Sequence, residues 1–234
     1  MNLADFREDY RRGGLDHDGL RASPFAQFEA WFAEAAGTAG QSRWRKIGIA
    51  LYKLWEALRD RRPADVNAMT LATVDAAGHP STRTVLLKGV DDRGFIFFTN
   101  YDSRKGRELA GNPHAALTFF WSDLERQVGV AGTVTKLPAA ESEAYFKSRP
   151  RGSQLGAWAS NQSTVIPDRA TLEASWREIE KRFPNEIPLP PNWGGFVLKP
   201  SRIEFWQGRP SRLHDRFRYT LQPDGAWRCE RLSP

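Results

Sequence analysis

Two adjacent cations, Arg104 and Lys105, follow the N-cap residues Asp102 and Ser103 at the start of a predicted helix. Cations are unfavourable at a helix N-terminus, where free backbone N–H groups already carry partial positive charge. A bound phosphate would reverse this, because it accepts hydrogen bonds from those groups and neutralises the side chains. The pattern is therefore consistent with a phosphate site, but taken alone it favours a simpler interpretation in which both side chains extend into water.

A second set of anion-binding side chains lies in the segment YFKSRPRGSQLGAW, residues 145–158. Tyr145 and Arg149 are four residues apart, so they share one face of a predicted helix. Pro150 must end that helix, and Ser153 lies just beyond it. A phenol, a guanidinium and a hydroxyl that converge form a site for phosphate or carboxylate. The alternative, which this segment taken alone favours, is a surface arginine beside an ordinary helix end.

Three basic residues alternate near the end of the chain, at Arg212, His214 and Arg216. A strand predicted at 213–220 would point all three side chains to one side. Such a face is not a packing surface, because each buried charge needs a partner. The residues either line a pocket, together with Trp206 of the preceding predicted strand, or form a solvated face.

Composition limits the classes of protein that fit. The chain has 234 residues, 40% of them hydrophobic and 26% charged, which is typical of a soluble globular protein with one sizeable domain or two. The single Cys229 excludes an intrachain disulfide framework and a cysteine-based zinc site, and the four histidines lack metal-ligand spacing, so we expect no metal. The net charge of +6 favours anionic ligands but is too diffuse to indicate nucleic acid. The polar N-terminus and the absence of a membrane-length apolar run favour a cytoplasmic protein.

The elements that must position these groups are mostly short strands. Eight or so short strands with a few peripheral helices favour an antiparallel barrel over a doubly wound parallel sheet. Asp91–Gly94 is a predicted hairpin turn, in which Gly94 is free to adopt a positive φ. Arg83 and Lys88 fall on opposite faces of their predicted strand unless a bulge intervenes. The predicted strands are 68–75, 81–90, 94–99, 114–121, 125–137, 194–199, 202–208, 213–220 and 226–231, and the predicted helices start at 23 and cover 103–110, 139–148, about 153–160 and 168–183.

Residues 41–62 form a separate feature, a predicted basic amphipathic helix. Three interpretations compete: it packs on its own domain or a second subunit, it binds another partner, or it lies on an anionic membrane. We favour packing, so a membrane or partner contact through residues 43–62 is the less favoured interpretation. The basic, aromatic N-terminal arm, residues 1–22, is either a loose tail, which position alone favours, or a lid over an anionic ligand.

Several blocks match one family in order and spacing. They are FREDYRRGGL, RTVLLK, FFTNYDSRKGREL, LERQV, YFKSRPRGSQLGAW with NQS, PLPPNWGGF, IEFWQG and RLHDRF. On these blocks the chain resembles the bacterial pyridoxamine 5'-phosphate oxidases over nearly its whole length, and residues 37–62 depart from the family pattern as an insertion.

The resemblance implies a fold, an activity and a cofactor. It implies a single domain, residues 1–234, that is mainly β: an FMN-binding split β-barrel of antiparallel strands with peripheral helices. Two chains form a homodimer with FMN at the subunit interface. The implied reaction converts pyridoxamine 5'-phosphate and pyridoxine 5'-phosphate to pyridoxal 5'-phosphate, with O2 as electron acceptor and H2O2 as product. The implied FMN contacts are Arg83, Thr84, Val85, Leu86, Leu87, Lys88, Phe98, Thr99, Arg104, Lys105, Gln127, Gln162, Ser163, Trp206 and Arg216.

The resemblance also assigns the substrate contacts. Arg7 and Tyr10 match a segment that closes over the substrate in the family. Arg212 and His214 are the candidate catalytic residues, which would orient the substrate and assist proton movement, although the sequence does not identify a general base. The implied substrate-binding set is Arg7, Tyr10, Lys88, Tyr145, Arg149, Ser153, Arg212 and His214.

Two other functions compete with this one. The first is a different flavin- or deazaflavin-dependent reductase of the same fold, against which the RPRGSQ and RLHDRF blocks argue. The second is a non-enzymatic module in which the basic helix at 43–62 binds membrane or nucleic acid and the barrel is a scaffold.

Overall fold

The computed structural model describes residues 10–37 and 66–234. Arg7 and the predicted helix at 41–62 lie outside the described residues. The α-helices are α1 (Pro24–Ala35), α2 (Arg104–Gly111), α3 (Ala139–Ser148), α4 (Arg151–Ala159) and α5 (Arg169–Arg182). The strands are β1 (Ala68–Val74), β2 (Pro80–Leu86), β3 (Gly89–Asp91), β4 (Gly94–Asn100), β5 (His114–Trp121), β6 (Arg126–Lys136), β7 (Trp193–Gln207), β8 (Asp215–Leu221) and β9 (Trp227–Leu232).

The strands of the described residues form one sheet, in the order β2-β1-β5-β6-β7-β4-β3, with β8 paired to β7 and β9 to β8. The pairs β3–β4, β4–β7, β7–β8 and β8–β9 are all antiparallel. The predicted class, mainly antiparallel β with peripheral helices, is confirmed.

The chain divides into two compact units. We call residues 70–117 and 131–201 the central unit, and the described residues of 1–69 together with 118–130 and 202–234 the terminal unit, because the second lies towards both ends of the sequence. Strands β5, β6 and β7 each contribute residues to both units. The expectation of a single domain stays a prediction.

In the central unit the core forms where β4 pairs with the first half of β7. Phe97 lies opposite Phe196 in this register, and Phe97 is fully buried. Gly94 has φ +138°, and a Cβ there would lie 2.0 Å from the Leu198 carbonyl oxygen, so the predicted turn requires glycine. Helices α3 and α4 are held by a second apolar cluster, which consists of Phe146, Leu155, Ile187 and Trp193. Those two helices carry the predicted anion-binding side chains.

In the terminal unit the core joins α1 to the strands around it. Phe28 packs on Phe119 with ring centroids 5.0 Å apart, and Trp31 packs edge-on against Phe205 at 5.3 Å. The buried Tyr219 of β8 donates its hydroxyl hydrogen to the Arg21 carbonyl at 2.6 Å. Helix α1 and the segment before it are therefore attached to β5, β7 and β8 of this unit.

The strand predicted at 213–220 is shorter than expected. Strand β8 begins at Asp215, whereas Pro210–Arg212 form a 3-10 turn in which Ser211 and Arg212 have φ of +57° and +60°. The expectation that Arg212, His214 and Arg216 alternate on one strand is therefore wrong. The left-handed turn takes Arg212 and His214 off the strand, and only Arg216 lies within it.

Two other boundaries differ from the sequence prediction. The strand predicted at 81–90 is broken after Leu86, and Lys88 lies between β2 and β3, where its N–H bonds to the Ile96 carbonyl at 2.8 Å. Period-2 alternation therefore does not relate Arg83 to Lys88. The strands predicted at 194–199 and 202–208 are one strand, β7, which changes partner from β4 to β8 along its length.

Candidate active site

A cavity of about 580 Å³ lies within the central unit, which is a size typical of small-molecule sites. Its walls come from β2, β4, the start of α2, the α3–α4 junction and the segment after α4. Many of the predicted site residues line it, namely Thr84, Val85, Leu86, Lys88, Phe98, Thr99, Lys105, Tyr145, Arg149, Ser153 and Gln162.

Lys105 is the most enclosed cation of this cavity, with a relative exposure of 8%. Ser103 is the N-cap of α2, as predicted, and its hydroxyl accepts hydrogen bonds from the Gly106 N–H and the Lys105 ammonium, both at 3.3 Å. Lys105 also donates to the Gln162 side-chain oxygen at 2.8 Å. Burial, and then the nearby charge of Arg83, lower the pKa of Lys105 to about 8. Among the described residues no carboxylate pairs with this ammonium, so an anion is the missing partner.

Arg104, the neighbouring cation, has a different environment. Its Nε donates to Glu108 at 2.8 Å, and its side chain is 57% exposed. Glu108 also accepts hydrogen bonds from Thr73 at 2.5 Å and Ser81 at 2.7 Å, and pairs with Arg83 at 3.2 Å. Burial would raise the pKa of the Glu108 carboxyl, but these hydrogen bonds and the charge of Arg83 outweigh it and lower the pKa to about 2. The carboxylate is therefore ionised and holds both arginines.

Arg149 and Tyr145 are positioned by a stack of aromatic rings. Tyr145 lies on Phe98 with centroids 3.9 Å apart, and Phe98 lies nearly parallel to Trp193 at 5.5 Å. The Arg149 guanidinium sits over Trp193 at 4.7 Å, and its Nη1 is buried with no hydrogen-bond partner in the described part of the chain. Burial lowers the pKa of Arg149. A buried guanidinium N–H without an acceptor is costly, and a bound phosphate would supply the acceptor.

Helix α3 ends at Ser148, so Pro150 ends it as predicted. Arg149 is the C-cap in an extended conformation, with φ −75° and ψ 147°, and α4 begins at Arg151. Tyr145 and Arg149 therefore do not share a helical face. The sharp junction still brings both of them, with Ser153 of α4, to the same cavity.

Some predicted contacts of the central unit do not line the cavity. Leu87 is buried, Arg83 and Arg104 are bound to Glu108, and Ser163 is exposed with φ +74°. The remaining predicted residues belong to the terminal unit: Tyr10, Gln127, Trp206, Arg212, His214 and Arg216.

In the terminal unit Tyr10, Trp206 and His214 form a ring cluster. Tyr10 stands edge-on to Trp206 with centroids 5.5 Å apart, and His214 lies 4.7 Å from Trp206. Tyr10 also packs on Gly208, because a Cβ atom added to Gly208 would lie only 2.7 Å from the Cγ of Tyr10. The described part of the N-terminal arm is therefore packed against a predicted catalytic residue.

Several arginines of the terminal unit are paired with carboxylates. Arg216 binds Glu204 at 2.8 Å through Nε and Nη2, and Arg209 lies 3.5 Å from Asp215. Arg212 is exposed, and the structure assigns it no hydrogen bond or ion pair within the described residues. Of the predicted basic trio, only Arg212 and His214 can offer their polar groups to a ligand without breaking an ion pair.

Sequence reasoning missed three residues that organise these sites. Glu108 carries a detectable signal, because it lies four residues after Arg104 on a helix. The Trp193 ring stacks on the Arg149 guanidinium although the two residues are far apart in the sequence. The backbone N–H of Arg209 donates a hydrogen bond to His214. Local spacing gives no indication of either of these contacts.

No described helix is long and apolar enough to cross a membrane. No cluster of three or more His, Cys, Asp or Glu side chains there could hold a metal ion. The cationic cavity with aromatic walls is suited in its chemistry to a planar ligand with anionic groups.

Two family models match the chain. The model described as pyridoxamine 5'-phosphate oxidase matches residues 54–183, and the one described as the pyridoxine 5'-phosphate oxidase C-terminal dimerisation region matches residues 193–234. A curated protein of Ralstonia nicotianae, named pyridoxine/pyridoxamine 5'-phosphate oxidase 1, is 54% identical over 233 residues, which cover 100% of this chain and 99% of the relative. The Pseudomonas paraeruginosa pyridoxine/pyridoxamine 5'-phosphate oxidase is 53% identical over 235 residues, with the same coverage.

Solved structures agree with this fold. PhzG from Burkholderia lata, solved with tetrahydrophenazine-1-carboxylic acid, is similar with a TM-score of 0.69 and 33% identity, over 80% of this chain and 92% of that one. A pyridoxamine 5'-phosphate oxidase-related, FMN-binding protein from Nostoc punctiforme has a TM-score of 0.66 over 92% of this chain and all of its own, and at 18% identity it shows the fold alone. The fold is therefore the split barrel of the FMN-binding proteins, as expected. The chain belongs to the pyridoxamine 5'-phosphate oxidase family, and it is an oxidoreductase.

Proposed function

We propose that the chain oxidises pyridoxamine 5'-phosphate and pyridoxine 5'-phosphate to pyridoxal 5'-phosphate, with FMN as cofactor, O2 as electron acceptor and H2O2 as product. The observation that carries this proposal is the central cavity, where the buried Lys105 and the half-buried Arg149 have no carboxylate partner among the described residues. The names of the curated relatives supply the substrate class.

The residues present fit two phosphorylated ligands. Lys105 and Gln162, with the β2 segment Thr84–Leu86, would hold the FMN phosphate side of the cavity. Lys88, Tyr145, Arg149 and Ser153 would hold the phosphate of the substrate. In the first set the ammonium donates to neutral oxygens, and in the second the unpartnered Arg149 Nη1 can donate to a phosphate oxygen.

The protein contributes mainly position. When bound, FMN supplies the acceptor for the hydride that leaves C4' of the vitamer. The phosphate contacts fix one end of the substrate, so its ring has few orientations, and this lowers the entropic cost of reaching a reactive geometry. Arg212 and His214 would orient the vitamer ring and contact its polar substituents. Tyr10, with Arg7 of the same arm, would cover the substrate and exclude water.

The assembly and location follow the resemblance. The match to a C-terminal dimerisation region supports a homodimer, and we place FMN at its subunit interface. We also propose a cytoplasmic location, where a protein with one cysteine stays reduced.

The visible spectrum of the purified protein tests the proposal. We expect flavin absorption that bleaches when pyridoxine 5'-phosphate is added without oxygen and returns, with stoichiometric H2O2, when air is admitted. A reduced phenazine carboxylate of the kind bound by PhzG is the comparison substrate, because that structure is also similar to this chain. A flavin that is bleached only by the phenazine compound, or a protein that binds no FMN, would overturn the proposal.

A further inference from the structure

Ser142 is a polar residue of α3 that does not line the cavity and is almost completely buried, with 2% exposure. Its Oγ accepts a hydrogen bond from the Gly195 N–H of β7 at 3.0 Å. The Tyr101 hydroxyl donates to the carbonyl of the same glycine at 3.2 Å. Burial raises the pKa of Tyr101, and a hydrogen bond from Ser142 opposes that rise. Each of the three residues therefore donates to one neighbour and accepts from the other, which makes a closed network.

Two consecutive glycines of β7 make room for this network. A Cβ atom added to Gly194 would lie 2.9 Å from the Ser142 Oγ and closer still to the Tyr101 oxygen. A Cβ atom added to Gly195 would lie 2.8 Å from a ring carbon of Phe98, which is its partner in the β4–β7 register. These separations are too short for non-bonded atoms. The α3 hydroxyl and the Phe98 ring therefore approach the β7 backbone more closely than any side chain there would allow.

The buried residues of α3 are Ser142 and Phe146, which lie four residues apart on one helical face. Phe146 packs edge-on against Trp193 with ring centroids 5.3 Å apart. An apolar contact is non-directional, so it holds the helix on the sheet without fixing its position along β7. Hydrogen bonds depend steeply on distance and angle, so the bonds of Ser142 fix that position.

The position of α3 decides where two cavity residues lie. Tyr145, three residues after Ser142, stacks on Phe98 with ring centroids 3.9 Å apart. Arg149 is the C-cap of the same helix, and its guanidinium lies 4.7 Å from the centre of the Trp193 ring. Phe98 and Trp193 belong to β4 and β7. A shift of α3 along the sheet would therefore displace the phenol and the guanidinium together from their aromatic supports.

We propose that Ser142 is a positioning residue for the substrate phosphate. Through its hydrogen bonds with Gly195 and Tyr101 it fixes α3 on β7, and α3 in turn presents Tyr145 and Arg149 to the phosphate in one geometry. The identity of the ligand rests on the proposed function. Ser142 itself does not touch the ligand, and its contribution is to reduce the number of arrangements that the two phosphate-binding side chains can adopt.

Binding of an unreactive substrate analogue tests this role without turnover. The probe is 4-deoxypyridoxine 5'-phosphate, which keeps the phosphate but lacks the C4' oxygen that oxidation requires, and calorimetry measures its Kd for FMN-loaded protein. In Ser142→Ala we expect that Kd to rise about tenfold, because the phosphate contacts are displaced. The Kd of FMN for the apoprotein should change less than about twofold, since Lys105 and Gln162 lie on other elements. An unchanged Kd for the analogue would overturn the proposal.

Two controls separate positioning from a general loss of stability. Ser148→Ala removes an exposed hydroxyl of the same helix, whose bond to the Tyr145 carbonyl at 2.7 Å stays within α3, and it should leave both Kd values unchanged. Tyr219→Phe removes a buried hydrogen bond of the terminal unit. It should lower Tm about as much as Ser142→Ala does, by about 2–8 °C, without weakening the analogue. Equal weakening in Tyr219→Phe would assign the effect to stability and overturn the proposal.

A double-mutant cycle tests whether the network acts as a unit. Tyr101→Phe removes the hydroxyl and keeps the ring, which packs edge-on against Phe196 at 5.2 Å. We expect the Kd of the analogue to rise about threefold in this variant, because the bond between Ser142 and Gly195 remains. Ser142→Ala combined with Tyr101→Phe should then resemble Ser142→Ala alone. A rise equal to the product of the two single effects would show independent contributions and overturn the network.

The positioning role and the proposed function fail in different ways. If wild-type protein binds the analogue but does not oxidise pyridoxine 5'-phosphate, and Ser142→Ala weakens the analogue, the proposed function fails and the positioning role stands. If the vitamer is oxidised and Ser142→Ala binds the analogue as tightly as wild-type protein does, the positioning role fails and the proposed function stands.

Discussion

The central cavity and the strand ends of the terminal unit are both rich in cations, but they differ in whether those cations are paired with carboxylates. In the cavity, Lys105 and Arg149 have no carboxylate partner among the described residues. In the terminal unit, Arg216 is paired with Glu204 at 2.8 Å, and Arg231 with Asp16 and Asp215 at 2.8 and 2.9 Å. These ion pairs of the terminal unit are complete without a ligand, whereas the two cations of the cavity have no anionic partner within the described residues.

This difference shows which positive charges can serve an anionic ligand. A net charge of +6 says only that anions are favoured on average. Arg83 and Arg104 are an intermediate case, because a single buried Glu108 holds both of them beside Lys105. Local pairing, more than the number of cations, therefore separates the binding site from the structural ion pairs.

Removing Arg149 should have the largest effect on activity. In Arg149→Met we expect kcat/KM for pyridoxine 5'-phosphate to fall about 100-fold, because a charge-assisted hydrogen bond to phosphate is worth about 1.5–3 kcal/mol. We expect little loss of thermal stability, since the Met side chain keeps apolar contact with Trp193 and the variant removes a buried guanidinium N–H that has no acceptor within the described residues. The matched control is Arg151→Met, whose guanidinium bonds the carbonyls of Asn185 and Phe183 outside the cavity. Equal losses in both variants would contradict the assignment.

Removing the charge of Glu108 should mainly affect stability. Its side chain is 5% exposed, so Glu108→Gln leaves Arg83 and Arg104 without their shared anion, and we expect a loss of about 2–3 kcal/mol in urea unfolding. The matched control is Glu141→Gln, which breaks an ion pair of Arg93 that is about 40% exposed and should cost less than about 1 kcal/mol.

The Glu108 carboxylate also predicts the direction in which the stability of the fold changes with pH. Because the folded pKa of Glu108 is lowered to about 2 from an ordinary 4.5, its stabilisation is complete above pH 4.5 and is lost as pH falls from 4.5 towards 2. Wild-type protein should lose more stability across that window than Glu108→Gln does. Identical pH slopes for the two proteins would show that the carboxylate is not held ionised by the fold.

Much of the fold and part of the candidate site could be predicted from the sequence. The helix start at Ser103, the break at Pro150 and most strands follow from local propensity and spacing, and the block matches give the family. The pairing of charges does not follow, because Glu108 meets Arg83 across 25 residues and Arg149 meets Trp193 across 44. The alternation predicted for Arg212, His214 and Arg216 fails because a left-handed turn at Ser211 and Arg212 overrides strand periodicity.

The lowered pKa of Lys105 predicts a moderate effect of pH on the binding of FMN. Its pKa, lowered to about 8, means that the free protein loses this charge as pH rises through 8, whereas an unfolded lysine would keep it to about 10.5. Binding a phosphate then requires proton uptake, so we expect FMN affinity to fall about tenfold between about pH 7 and pH 9. Fluorescence titration of the apoprotein with FMN measures this.

The control for this effect keeps a charge that does not titrate. Lys105→Arg should bind FMN with an affinity that is nearly constant over the same pH range, whatever its absolute value, because a guanidinium stays protonated. A slope as steep as that of the wild-type protein would assign the proton to another group.

We expect the smallest effect on stability when a cation of the terminal unit loses its carboxylate partner. Arg216 and Glu204 are 31% and 25% exposed, so water screens the pair, and Glu204→Gln should cost no more than about 1 kcal/mol. Added salt should shrink that difference, because screening weakens the pair in the wild-type protein too. Thermal unfolding at low and high salt measures it. A salt-independent loss as large as that of Glu108→Gln would mean that the two regions do not differ in how they hold their cations, and would remove the basis for locating the anion site from unpaired charge.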